Sequence, residues 1–252
     1  MTPSTETADI EAFLSRAGSV CVLTGAGVSA ESGVPTFRGP GGLWRQFRPE
    51  QLATPEAFFR DPLLVWEWYA WRREIISRAR PNAAHHALAE MESEAAAGGR
   101  RFTLLTQNVD GLHQRAGSRN VIRLHGDIWV LRCLDCGGER RDTSVPLDPL
   151  PPRCDCSGLM RPGVVWFGEA LPVEAWDRAA RAAASSDLFL IVGTSALVEP
   201  AASLPFLARR NGARLLEINP EPTPVSDLAD LTVRGKAAEV LGRLQTGRSK
   251  TT

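Results

Sequence analysis

Apolar residues along this chain gather in short runs, separated by longer stretches of helical period. Runs at residues 19–24, 102–105, 121–124, 188–192 and 215–218 predict strands buried on both faces. Helical spacing predicts helices over residues 82–97, 173–185, 200–210 and 236–244. Ile10, Phe13 and Leu14 add a short helix before the first strand, with Gly18 as its C-cap. Strands alternating with helices of this length imply an α/β protein, a Rossmann-type parallel sheet covered on both faces. Two regions break the rhythm: residues 39–80, rich in Trp and Arg and ending in a helix over 62–77, and residues 127–161, which carry four of the five cysteines. Both read as insertions packed into a smaller domain, with the ligand cleft between the domains. The expected division is 1–38, 81–126 and 167–245 for the Rossmann-type domain, 39–80 and 127–166 for the small domain, and 246–252 as a polar tail. The segment 226–231 fits neither period clearly.

Directly after the first strand comes Gly25-Ala26-Gly27-Val28-Ser29-Ala30, a glycine turn that lets backbone N–H groups approach a pyrophosphate. An ordinary dinucleotide dehydrogenase would continue into a helix, a second strand and an acidic ribose ligand. Here the chain runs through Pro35-Thr36-Phe37-Arg38 into a Gly/Pro-rich loop instead. The turn therefore serves a dinucleotide, while Phe37 and Arg38 lie on a loop able to close over it.

Composition narrows the partners. Acidic and basic residues balance at 29 each, so no summed field favours nucleic acid or an anionic membrane. The first ten residues show no secretory leader, and no apolar run is long enough to span a bilayer. The expectation is a cytoplasmic, monomeric protein.

Cys133-Leu134-Asp135-Cys136 and Cys154-Asp155-Cys156 approach the paired-cysteine spacing that sets four thiolates around one structural zinc, although the second pair is a residue short. One or two disulfides are the alternative, disfavoured without a sign of secretion. Cys21, inside the first strand, reads as a buried apolar residue.

Taken in order, the glycine turn, the Thr36-Phe37-Arg38 loop, Thr106-Gln107-Asn108-Val109-Asp110-Gly111-Leu112-His113, Leu124-His125-Gly126, the cysteine pairs, Val164-Val165-Trp166-Phe167-Gly168-Glu169, Gly193-Thr194-Ser195 and Ile218-Asn219 resemble the sirtuins across residues 18–241. The resemblance implies an NAD-consuming protein-lysine deacylase, which yields nicotinamide, free lysine and O-acyl-ADP-ribose. NAD would be the co-substrate and one zinc ion structural.

By the same resemblance His125 is the catalytic base, drawing a proton from a ribose hydroxyl; read alone, a His at a strand end is more often structural. Asn108 and Asp110 suit the departing carboxamide and Phe37 the shielding of the site from water. Gln107 and Asn219 would contact ribose, Ser29, Thr194 and Ser195 phosphate or ribose, and Gly25, Ala26, Gly27, Gly193 and Ala237 complete the NAD contacts. Turn formation and helix capping are the plainer roles for the Asn/Asp and Gly-Thr-Ser groups. His113 is expected to bond backbone, and His85 to cap or pack its helix.

Tyr69 and Arg72 share one helix face. The sirtuin branch acting on succinyl-, malonyl- or glutaryl-lysine carries such a Tyr-x-x-Arg pair, and Ala53 resembles the small residue of its acyl pocket. Absent the family, Tyr69 would pack and Arg72 be solvated, as Arg73 and Arg78 are expected to be. An acylated peptide is expected to bind as an extended strand along Val164-Val165 and Phe167-Gly168-Glu169. Rival readings are an NAD glycohydrolase or mono-ADP-ribosyltransferase, and a non-catalytic NAD or ADP-ribose sensor.

Overall fold

The computed structural model describes residues 5–37, 42–43 and 48–248. Its larger sheet has the strand order β3-β2-β1-β7-β8-β9, with every neighbouring pair parallel. These strands are β1 (Ser19–Thr24), β2 (Arg101–Thr106), β3 (Val121–Arg123), β7 (Leu188–Val192), β8 (Arg214–Ile218) and β9 (Leu231–Val233). The order reverses at β1, which has β2 on one side and β7 on the other, and a crevice opens at such a switch point beyond the strands' carboxyl ends. β1 and β7 are buried at every position, the reason their sequences read as unbroken apolar runs.

Helices cover both faces. On one face α1 (Thr5–Ser15), α6 (Ala83–Ala97) and α10 (Ala237–Arg248) bury Ile10, Leu88 and Leu241 against Val22, Leu104 and Leu190. On the other, α8 (Val173–Ala184) and α9 (Leu204–Arg210) bury Ala179, Ala183, Leu204 and Ala208 against Leu23, Leu105 and Ile191.

The first crossover departs from an ordinary Rossmann unit. The glycine turn leads into the single-turn α2 (Gly27–Ala30), and α3 (Pro49–Leu52), α4 (Pro55–Arg60) and α5 (Pro62–Arg78) intervene before α6 and β2. After β2, α7 (Leu112–Arg115) leads to β3. Residues after β3 form a separate antiparallel sheet of β4 (Gly126–Cys133), β5 (Glu139–Arg141) and β6 (Met160–Val164), ordered β5-β4-β6. The two insertions share a third core, in which Phe58, Trp66 and Ile76 pack with Ile128, Leu131 and Met160. Trp66 Nε1 donates to the Met160 carbonyl at 2.8 Å.

Three local expectations need correction, and the segment left open takes a definite form. Gly18 does not adopt the left-handed conformation of a glycine C-cap; it lies beside Asp187, whose carboxylate accepts from the Ser19 N–H at 2.8 Å. Residues 226–231 resolve into a 3₁₀ turn, Ser226–Leu228, followed by the start of β9. α10 continues to Arg248, past the point where the sequence reads as a polar tail. Arg73 is 1% exposed rather than solvated, because it crosses to the second insertion and donates to the carbonyls of Asp142 and Ser144 and to the Asp142 carboxylate. Arg78 is solvated as expected. Among the described residues no helix is long and apolar enough to cross a membrane.

Candidate functional site

At the switch point the main chain itself builds a cradle. Gly25 N–H donates to the Val192 carbonyl, and Gly27 N–H to the Gly193 carbonyl at 2.8 Å, drawing the turns after β1 and β7 together. A Cβ on Gly25 would lie 2.6 Å from Thr194 Cβ, and one on Gly27 2.7 Å from the Gly193 oxygen. Gly193 adopts a φ of +58° within the same contact. No side chain fits at these three positions without driving the two turns apart, so their close approach requires glycine at each.

The cradle forms one end of a cavity of about 700 Å³. Ala26, Ser29, Phe37, Gln107, Asn108 and Asp110 line it, and Ser195, Asn219 and Ala237 continue the wall past β7 and β8. His125 stands on the same cavity, as do Ala53, Tyr69, Arg72, Val165, Phe167 and Gly168 from the two insertions and the loop after β6. Every predicted NAD or acyl residue among the described ones therefore meets in one space. Arg38 falls outside the described residues.

Hydrogen bonds fix several of these side chains. His125 Nδ1 lies 2.9 Å from the Gln107 carbonyl, which can only accept; Nδ1 therefore carries the hydrogen and Nε2 is the basic nitrogen. Burial pulls the His125 pKa below the ordinary imidazole value, partly countered by that bond. Gln107 Nε2 donates to Thr194 Oγ1 at 2.9 Å, joining the ends of β2 and β7. Asn108 Nδ2 donates to the Gly25 carbonyl and to Ser29 Oγ. Ser29 Oγ donates to Asp110 Oδ2 at 2.8 Å, so in this state its hydroxyl belongs to a buried network. Asp110 Oδ1 accepts from Leu112 N–H, and burial raises its carboxyl pKa. His85 caps α6 by taking the Asn82 N–H, and His113 bonds the Thr24 hydroxyl at 3.0 Å rather than backbone. Asn219 Nδ2 donates to the Glu221 carbonyl.

The inserted helix α5 was only partly foreseen. α5 turns Trp68, Tyr69, Arg72 and Arg73 inward as one buried stripe. Arg72 is 6% exposed, its guanidinium 4.6 Å from the Phe37 ring centroid and 5.0 Å from that of Trp68. Among the described residues no carboxylate lies within ion-pair distance of it. Trp68 was missed in the sequence, although its place four residues before Arg72 puts it on the same helix face. Trp166 was quoted only as part of a motif, yet its Nε1 donates to the Tyr69 hydroxyl at 2.9 Å.

Away from the cavity, the sulfurs of Cys133, Cys136, Cys154 and Cys156 all lie within 4.8 Å of one another. The 3.5 and 3.7 Å separations of Cys133 from Cys156 and Cys136 from Cys154 are far too long for disulfides. They approach the edge of about 3.8 Å expected for a tetrahedron of thiolates around zinc. The shortened second pair is accommodated by a tight turn, with Cys154 N–H donating to Gly158 O and Ser157 at a φ of +69°. A Cβ on Gly158 would sit 2.7 Å from Cys133 Sγ, so only glycine leaves room for the four sulfurs. Four cysteines are thus positioned to bind one zinc, with no position left open for catalysis. Cys21 is buried and apart from them, its thiol pKa raised by burial.

The Sir2 family model matches residues 25–200. The chain is 56% identical over 227 residues to an NAD-dependent protein deacylase of Aquifex aeolicus, covering 90% of this chain and 93% of that one. It is 57% identical over 224 residues to NAD-dependent protein deacylase 2 of Pyrobaculum aerophilum, covering 88% of each. Its fold matches that of a mutant Sir2 homologue in complex with ADP-ribose, with a TM-score of 0.91, 50% identity and 96% of each chain covered. It also matches Sir2Tm bound to a propionylated peptide, with a TM-score of 0.85, 31% identity and 96% and 98% coverage. With the glycine cradle, the cysteine cluster and His125 in one framework, this chain belongs to the Sir2 family.

Proposed function

We propose that this chain is an NAD-dependent protein-lysine deacylase with a preference for acyl groups that end in a carboxylate. The observation that carries the first part is His125, whose free Nε2 stands on the same cavity as the glycine cradle and the inserted helix. Relatives named NAD-dependent protein deacylases and a homologue holding a propionylated peptide support it.

In this reading the Rossmann-type part (1–38, 81–126 and 167–245) holds NAD, and the inserted part (39–80 and 127–166) meets the acyl-lysine. The cradle brings the turns after β1 and β7 close against the pyrophosphate, although the N–H groups of Gly25, Gly27 and Gly193 are themselves taken by main-chain carbonyls, and Ser195 and Asn219 lie along the adenosine half. Asn108 donates through Nδ2, which leaves Oδ1 to accept from the nicotinamide carboxamide. Phe37 keeps water from the reacting carbon, so that the acyl oxygen rather than water takes it. His125 accepts the proton of a ribose hydroxyl at Nε2, and the Gln107 carbonyl steadies the imidazolium through Nδ1–H. Zinc, held by the four cysteines, supplies folding free energy to the small domain. β6 is an edge of its sheet, and an extended peptide beside it would explain recognition through main chain.

The acidic preference rests on Arg72. A guanidinium this buried, without a carboxylate partner among the described residues, is completed by a substrate that brings one. The test is mass spectrometry of matched succinyl-lysine and acetyl-lysine peptides, with and without NAD. NAD-dependent loss of succinyl in excess of acetyl is the expected result. Acetyl loss alone overturns the preference, and nicotinamide release without any acyl peptide consumption points instead to an NAD glycohydrolase.

A further inference from the structure

Tyr69 and Trp166 meet at the acyl end of the cavity, and their hydrogen bond has one possible polarity. Indole Nε1 can only donate, so the Tyr69 oxygen accepts from it at 2.9 Å. The phenol's own hydrogen must then point elsewhere. Tyr69 is 3% exposed, lines the cavity beside Arg72, and among the described residues has no acceptor for that hydrogen. Burial pushes the phenol pKa up to about 12, which keeps it protonated, and hence a donor, through the neutral range. A buried donor of this kind is satisfied only when something in the cavity accepts.

Trp166 is itself held from behind. The Arg161 guanidinium lies 3.5 Å from the indole centroid and forms a two-pronged pair with Glu169. Glu169 Oε2 accepts the Trp166 backbone N–H at 2.8 Å, and Arg161 Nη2 donates to the Val164 carbonyl. Phe58 packs on the same indole with a centroid separation of 5.2 Å. The indole therefore has little freedom to turn its N–H away from Tyr69.

We infer that Trp166 is a positioning residue for acyl choice. By occupying the acceptor side of the Tyr69 hydroxyl, it commits that hydroxyl to donate into the cavity next to the Arg72 guanidinium. Two convergent donors match a carboxylate, which only accepts, while a plain acetyl end leaves both unpaired. This role rests on the acidic-acyl reading above.

Tyr69 is the single tyrosine of the chain, so protein labelled with ζ-13C tyrosine gives one phenol resonance that reports this residue alone. In Trp166→Phe that resonance is expected to move in the absence of peptide, because the donated hydrogen bond is gone. The succinyl-to-acetyl ratio of kcat/KM should fall about tenfold, the worth of one such hydrogen bond, with the loss in the succinyl KM. Tyr69→Phe should lower the ratio similarly, and the double variant no further than Tyr69→Phe alone. Should Trp166→Phe not fold, Glu169→Gln, which loosens the Arg161 clamp, should move the resonance and the ratio in the same direction. An unmoved resonance, or losses that add in the double variant, overturn the positioning role. A wild-type enzyme that prefers succinyl, with an unchanged ratio in Trp166→Phe, overturns that role alone; a wild type that ignores the succinyl peptide overturns both it and the acyl preference.

Discussion

His125 Nδ1 sits 2.9 Å from the carbonyl oxygen of Gln107, and this contact decides which imidazole nitrogen is free to take a proton. With Nδ1 committed as donor, His125→Ala removes the only base at Nε2 and should lower kcat by about 10²–10⁴-fold. Because burial depresses its pKa, the imidazole is neutral and competent throughout the neutral range. Activity should fall only as pH drops through that depressed value. A kcat–pH profile whose acid limb lies above the ordinary imidazole range would contradict the assignment.

Arg72→Met separates binding from stability. Removing a donor to a carboxylate should raise the KM for a succinyl-lysine peptide by about 10–100-fold. Because Arg72 is buried without a carboxylate partner among the described residues, an apolar side chain of similar length should leave Tm unchanged or raise it. A sharp fall in Tm would instead assign Arg72 a structural role. Peptide kinetics and a thermal melt together distinguish the two.

Gly158→Ala tests the cysteine cluster without touching a ligand. The added methyl would lie 2.7 Å from Cys133 Sγ and 2.6 Å from Asp135 Oδ2, so overpacking of about 1–3 kcal/mol is expected. Zinc should be lost at a lower chelator concentration than from the wild type, followed by a release assay. Equal retention would argue against a four-sulfur site of this geometry.

Gly25→Ala should weaken NAD while leaving the sheet intact. Its Cβ would press on Thr194 and the Gly193 carbonyl, forcing the two turns apart at a cost of about 1–3 kcal/mol. Titration calorimetry should show the affinity for NAD lowered by about tenfold or more, while zinc content stays at one per chain. Unchanged affinity would move the dinucleotide away from this cradle.

Legibility from sequence followed burial. β1 and β7, covered on both faces, were readable to the residue, as was the Asn82 cap of α6. β5, whose three residues are all exposed, carries no apolar signal and was not foreseen. α5 was found as a helix with Tyr69 and Arg72 on one face, but Arg73 was misjudged as solvated. Its buried stripe contains two arginines, and the partner that draws Arg73 inward, Asp142, belongs to the other insertion. The cavity residues were named through a family resemblance. Their mutual engagement, such as Ser29 with Asp110 or Trp166 with Tyr69, depends on contacts between distant segments that local pattern does not encode.

The glycine cradle has a consequence for how this molecule can change. At Gly25, Gly27 and Gly193 an added side chain would collide with the facing turn, whereas the end proposed for the acyl group is lined by Ala53, Tyr69 and Arg72 on inserted helices and their flanking turn. The close approach of the two turns is thus a feature that substitution can scarcely edit, while the proposed acyl end depends on three replaceable groups. Libraries confined to those three positions should redirect the enzyme among acyl chains while its demand for the same nucleotide persists.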